Sequence, residues 1–253
     1  MRVPNVRFSI AAACCIFAGV AMGQGNTKAV VNGDIPMRPS AENHPGTVVV
    51  RNDVVSVASG PVIASGPDNT EMRQVGRFSG IELSTEAEAH FSIGPNPSIA
   101  ISAPANVLPL VHTLVRDGVL TVWLENRVMI SKPLKLVITG PSLQAISIPG
   151  SATMTASGLS GDSLDVSVSG SGVIVASGSV KNVHVAIVGV ADVDVSAIHA
   201  KTLTANVSGS GDLHGYASDS ATLDISGSGE VKVDGNPAHR SVSRSGSGDV
   251  HFE

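Results

Sequence analysis

Aromatic side chains are nearly missing from this 253-residue chain: one Trp, one Tyr and five Phe make up 3% of it. Sugar-stacking platforms are therefore scarce, with Trp123 and Tyr216 the sole residues of their kinds. Cysteine is as rare, and both copies, Cys14 and Cys15, lie close to the N-terminus. Charged residues reach only 15%, and 16 basic against 21 acidic side chains leave a net charge of −5. That balance argues against nucleic-acid binding, which needs a basic face. The strong helix formers Glu, Lys and Leu are sparse, which argues against a helix-rich protein. What is plentiful is Gly, Ser, Val, Thr and Ala, with 27 glycines and 42% hydrophobic residues. Such a chain can bury a substantial core and does not have the low hydrophobicity of a disordered one.

The N-terminus reads as an export signal. Arg2 and Arg7 precede an apolar run from Phe8 to Met22, and Ala21-Met22-Gly23 supplies small residues for cleavage before Gln24. The run is short for a membrane span, which disfavours a retained anchor helix. A lipoprotein reading through Cys14 or Cys15 leaves only Phe8–Ala13 as apolar core, so both cysteines are assigned to the removed segment 1–23. The mature chain then has no disulfide, no transmembrane segment and a net charge of −7, and it holds together by packing. Its expected address is the periplasm, the outer cell surface or the medium.

The C-terminal half repeats. Ser-Gly-Ser-Gly recurs at Ser169–Gly172, Ser208–Gly211, Ser226–Gly229 and Ser245–Gly248, with degenerate copies at Pro149–Ala152 and Val188–Ala191. Their first glycines, Gly150, Gly170, Gly189, Gly209, Gly227 and Gly246, are spaced by 20, 19, 20, 18 and 19 residues. Four positions after each origin stand Met154, Ile174, Val193, Leu213, Val231 and Val250. Two before it stand Ile148, Val168, Ile187, Val207, Ile225 and then Arg244. Four before it stand Ile146, Val166, Val185, Ala205, Leu223 and Val242, and the positions between are polar or mixed. Period-two alternation marks strands with one buried face, and its recurrence at constant coil length means that each turn stacks on the last.

These columns predict an all-β fold: a right-handed parallel β-helix-like solenoid of roughly six rungs over residues 143–253. A flat antiparallel sheet of hairpins is the competing reading, which in-register inward columns disfavour. Gly170, Gly172, Gly189, Gly209, Gly211, Gly227, Gly229, Gly246 and Gly248 are read as structural turn residues, because sharp corners demand conformations that glycine accepts. Ser177–Ser179, Ala217–Ser220 and Asp234–Pro237 form the other, less regular corner. A region at 74–142 is strand-rich without the glycine period, with strands expected at Ser98–Ser102, Val119–Leu124 and Leu134–Thr139 and a short helix within Ala105–Val115. Residues 24–73, with scattered prolines, are expected to be a flexible lead-in.

Arg77-Phe78-Ser79-Gly80-Ile81-Glu82-Leu83 resembles the opening motif of the bacterial head GIN domain, a domain of unknown function. Ser208-Gly209-Ser210-Gly211-Asp212 and Ser245-Gly246-Ser247-Gly248-Asp249 are similar to that family's repeats, so the resemblance runs from Arg77 to Glu253. Its label, putative autotransporter adhesin, implies a β-helical surface module. The sequence stops at Glu253, just after the last repeat, so a membrane β-barrel translocator is not expected.

The chemistry that stands out is an acidic ladder. Asp192, Asp212, Glu230 and Asp249 each follow a small-residue turn, while Val173 breaks the series. Stacked carboxylates must be solvated, spread apart or neutralised by a cation. One carboxylate per rung is thin for calcium, which takes six or more oxygens, so plain decoration of an exposed corner is the favoured reading. Asp194, His214, Lys232 and His251 form an outward column; His214 and His251 are about 9–10 Å apart with an ammonium between them, too far for a shared zinc. His184 is expected to point outward as well. The recurring Ser-Gly pairs lack the strand-turn-helix setting of a nucleophile elbow, and no Lys follows the glycines as in a phosphate loop. The expectation is a non-catalytic, adhesin-like or envelope scaffold without cofactor. Its partner, a cell-surface polysaccharide or protein, is not written in the residues. The alternative is a carbohydrate-active or cation-dependent polysaccharide-binding β-helix.

Overall fold

The computed structural model describes residues 61–125 and 128–253 in full, and the backbone of Gly46–Arg51 and Val54–Ser59. The signal segment and the first part of the lead-in fall outside the described residues. Gly46–Arg51 and Val54–Ser59 pair antiparallel with each other in a unit of their own, Met1–Ser59. The second unit, Gly60–Glu253, is a β-solenoid of about five turns.

Two long faces carry the solenoid. On one, Ala145–Ile148, the second half of Ala152–Gly170, the second half of Val173–Gly189, Thr202–Gly209, Ser220–Gly227 and His239–Gly246 pair in parallel, in that order. On the other, the first half of Ala152–Gly170, the start of Val173–Gly189, Asp192–Asp194, Asp212–Tyr216, Glu230–Asp234 and Asp249–Phe252 do the same. The register makes the sequence columns real: Met154, Ile174, Val193, Leu213, Val231 and Val250 are partners in one row, and Ile148 through Ile225 to Arg244 in another. Ile174 and Ile187 are fully buried, and Val193, Leu213 and Val207 nearly so. Successive rungs thus bury apolar, mostly β-branched side chains against one another at the strand spacing of about 4.8 Å.

The two glycines of each Ser-Gly-Ser-Gly do different work. The first takes a left-handed backbone: Gly189 has φ +122°, and a Cβ there would lie 2.6 Å from the carbonyl oxygen of Gly170 on the rung before. The second points inward at a corner with room for almost nothing. A Cβ on Gly211 would meet Ile187 Cγ2 at 2.6 Å, and the matching places in the degenerate repeats hold the small, buried Ala152 and Ala191.

The region before the repeat belongs to the same stack. Gly80–Ser84 lies between Val119–Leu124 and Ala145–Ile148, parallel to both, and Ala87–Ile93 pairs in parallel with Ala152–Ser157 on the other face. Gly80–Ile93 is therefore a rung without glycines at its corner, where Ser84-Thr85-Glu86 turn the chain. Strand pairing also starts earlier than the expected boundary at residue 74. Asp68–Gln74, assigned from sequence to the lead-in except for Gln74, runs antiparallel to Ser98–Pro104, and Val62–Ile63 pairs with Val128–Met129. Burial of Phe91, Ile99, Ile101, Leu134 and Ile138 joins this region to the core of the repeat. The expected short helix is a single 3-10 turn, Leu108–Leu110. The Asp117-Gly118 signal makes a hairpin between Val111–Arg116 and Val119–Leu124, with φ of +51° and +79°.

Candidate functional site, the charged outer face

Alternation turns every second residue of the face formed by Asp192–Asp194, Asp212–Tyr216, Glu230–Asp234 and Asp249–Phe252 to solvent. Two charged columns result. Asp192, Asp212, Glu230 and Asp249 occupy one, in register and exposed. Val175, Asp194, His214, Lys232 and His251 occupy the next. Between the columns lies a shallow open groove of about 380 Å³, apolar where Val173 and Val175 line it and charged from Asp192 to Lys232.

Ladder members differ in what they touch. Asp212 Oδ1 accepts a hydrogen bond from the backbone N–H of Glu230 on the following rung at 2.8 Å. Its carboxylate thereby finishes the corner that the preceding glycines begin, a structural reason for an acid at that spot. Glu230 Oε1 is 4.0 Å from His251 Nε2, and Asp249 Oδ1 is 3.8 Å from a guanidinium nitrogen of Arg244. Among the described residues, no three His, Cys, Asp or Glu side chains are arranged to hold a metal ion.

The second column is more tightly knit than its sequence suggests. His214 Nε2 lies 2.8 Å from Asp234 Oδ2, and its Nδ1 lies 3.8 Å from Asp194 Oδ1. Asp194 Oδ1 in turn accepts hydrogen bonds from the backbone N–H and hydroxyl of Ser196 at 3.0 and 2.6 Å. His214 thus links carboxylates from the rungs on both sides. Lys232 Nζ lies 2.8 Å from Glu253 Oε2, and that hydrogen bond raises the ammonium pKa above its ordinary value. Carboxylates therefore engage both His214 and Lys232 in the groove, and the face keeps an excess of negative charge. Ser196 escaped the sequence reading, and Asp234 was assigned there only to a corner. The signal was present, since Asp234 stands two residues after Lys232 and so on the same outward side.

The remaining candidates are placed without convergence. His184 is exposed, as expected. Trp123 stacks on His112 at 5.2 Å between ring centres, and Tyr216 meets His199 edge-on at 5.5 Å. The corner serines repeat along an exposed ridge, interrupted by exposed Val188 and Val190. No polar or charged side chain is buried among the described residues.

Solved structures share this fold. An adhesin described as putative, from Bacteroides fragilis, superposes with a TM-score of 0.58 at 22% identity, covering 76% of this chain and all of that one. A protein from Parabacteroides distasonis described as a putative lipid binding protein gives 0.50 at 15% identity, over 76% of this chain and 99% of its own. No curated protein sequence matches. Residues 77–237 match the family described as putative auto-transporter adhesin, head GIN domain, from the Arg77 motif through five of the six glycine corners. The chain belongs to the head GIN domain family.

Proposed function

We propose that this chain is an exported, non-catalytic β-solenoid of the cell envelope that binds a surface polysaccharide or protein, adhesin-like, through the outer faces of its rungs. The observation that carries the reading is the partition of chemistry. Every described buried side chain is apolar, and the polar groups stand in open, in-register columns. General acid–base and nucleophilic catalysis use desolvated, perturbed groups gathered in a cleft, whereas a periodic charged surface suits repeated weak contacts with an extended partner. The family's adhesin description and the N-terminal Arg2–Gly23 pattern support the envelope address.

Binding of the purified chain to immobilised envelope polysaccharide and to surface-protein extracts tests it, with Asp192→Asn/Glu230→Gln as the control for the groove. The expected result is saturable binding, at least tenfold weaker in the variant, with no turnover of the bound polymer. Release of shortened sugars would replace this reading with a carbohydrate-active one. The in-register carboxylates favour one further test, calcium titration by calorimetry. Binding that appears only with calcium would make the ladder a cation-dependent site. Intact mass of exported protein checks the address: loss of Met1–Gly23 is expected, and lipid on Cys14 or Cys15 would contradict it.

A further inference from the structure

The last rung faces a different environment from all the others. Arg240, Val242 and Arg244 are in register with Ala221, Leu223 and Ile225, and Val250 and Phe252 with Val231 and Val233. The layer beneath is buried to 1% exposure or less, so the last rung roofs it. Among the described residues of 61–253, nothing roofs the last rung. His239–Gly246 is exposed along its whole length, Val242 at 45%. An uncovered apolar layer flanked by two strands with free edges is a template for a further strand. Two inward positions of this rung nevertheless hold arginine, where the four rungs before it have Leu164, Val183, Leu203 and Ala221 in the one column and Val168, Ile187, Val207 and Ile225 in the other.

Both arginines are held in place. Arg240 Nε donates to the Pro237 carbonyl at 3.0 Å, its Nη2 donates to Asn236 Oδ1, and the guanidinium lies 4.4 Å from the centre of the Phe252 ring on the opposite face. Arg244 Nη1 donates to the Gly248 carbonyl at 3.0 Å and lies 3.8 Å from Asp249. From these contacts we infer that Arg240 and Arg244 close the last rung against a second copy of this chain. Tail-to-tail stacking would set four guanidinium groups against one another in a water-poor layer, where neither hydration nor a fresh carboxylate compensates them. The opposite end is already covered by antiparallel strands, so the contact that the arginines prevent is a closed two-fold dimer rather than a fibre.

Light scattering on the full chain carrying Arg240→Val and Arg244→Val tests the inference. The expected result is a folded protein whose mass doubles with rising concentration while the parent stays at one chain. A folded variant that remains at the parent's mass overturns it. Should the valine variant fail to fold, Arg240→Gln/Arg244→Gln removes the charge and keeps the polar stems. Concentration-dependent doubling of that variant supports the inference. A monomeric glutamine variant, or one that also unfolds, overturns it, because the arginines would then hold the rung together rather than guard it.

Discussion

The two ends of the solenoid solve the same problem in opposite ways. At the N-terminal end the core is covered by backbone. Asp68–Gln74 and the hairpin Val111–Leu124 run antiparallel at the margins of the two faces, and Val107, Leu108 and Val111 plug the layer. Arg73, 19% exposed, fastens that plug by donating to the carbonyls of Val111 at 2.6 Å and Leu108 at 3.2 Å. At the C-terminal end no strand among the described residues of 61–253 crosses over, and the final rung stays open, with arginines at two of its inward positions. An arginine near each end therefore has a different job: Arg73 satisfies buried backbone, whereas Arg240 and Arg244 present charge. The difference teaches that a repeat can be terminated either by breaking its topology or by keeping the topology and changing the side chains.

Substitutions can break that comparison. The largest effect belongs to the columns shared by all rungs: Val193→Asp places an unpaired charge between Ile174 and Leu213 and is expected to cost about 4 kcal/mol in urea unfolding. Its outward neighbour Asp194→Asn should shift the midpoint little, and equal shifts for the two would contradict the alternation. Gly189→Ala comes next, at about 2 kcal/mol, because an L side chain is strained at φ +122°. Arg73→Ala should cost about 1–2 kcal/mol by leaving two partly buried carbonyls without their donor. Arg240→Ala, on the exposed rung, should cost only about 0.5 kcal/mol, the worth of a surface cation–π contact. If thermal denaturation ranks Arg240→Ala above Arg73→Ala, the assignment of the two arginines to different jobs fails.

The smallest effect is a pH dependence at the Lys181–Asp162 ion pair, 2.6 Å long and open to solvent. Its hydrogen bond and charge hold the Asp162 carboxyl below its ordinary value and the Lys181 ammonium above its own. Stability from the carboxyl is present above the usual aspartate range and lost as pH falls through the lowered pKa. The ammonium contribution is present below the usual lysine range and lost as pH rises through the raised one. Asp162→Asn should therefore melt slightly below the parent at neutral pH and match it in strong acid.

Sequence made the repeat legible because one glycine period fixes corner, strand and column together. From Met154 to Val250 the inward residues could be named in register. Gly80–Ile93 belongs to the same stack but was invisible to that logic, since its corner is Ser84-Thr85-Glu86 and 51 residues separate Ile93 from Ala145, where the repeat begins. Asp68–Gln74 escaped for a related reason: its exposed polar residues, Asp68 to Glu71, carry no alternation, and only pairing with Ser98–Pro104 makes them a strand. On the outer face the columns were legible and their contacts were not. Spacing puts Asp234 on the outward side, but that His214 reaches diagonally to it rather than to the in-register Lys232 depends on side-chain direction, which residue spacing alone does not specify.

The central claim is a single continuous stack, covered at its N-terminal end and bare at its last rung. Hydrogen–deuterium exchange followed by peptide mass spectrometry tests it most directly. Amides of Gly80–Ser84 and Ala87–Phe91 should be protected to the same level as those of Val183–Gly189 and Thr202–Gly209, while those of His239–Gly246 and Asp249–Phe252 exchange first. Fast exchange at Gly80–Phe91 beside a protected repeat would divide the stack in two, and a last rung as protected as the interior would mean that its layer is covered; either result contradicts the account.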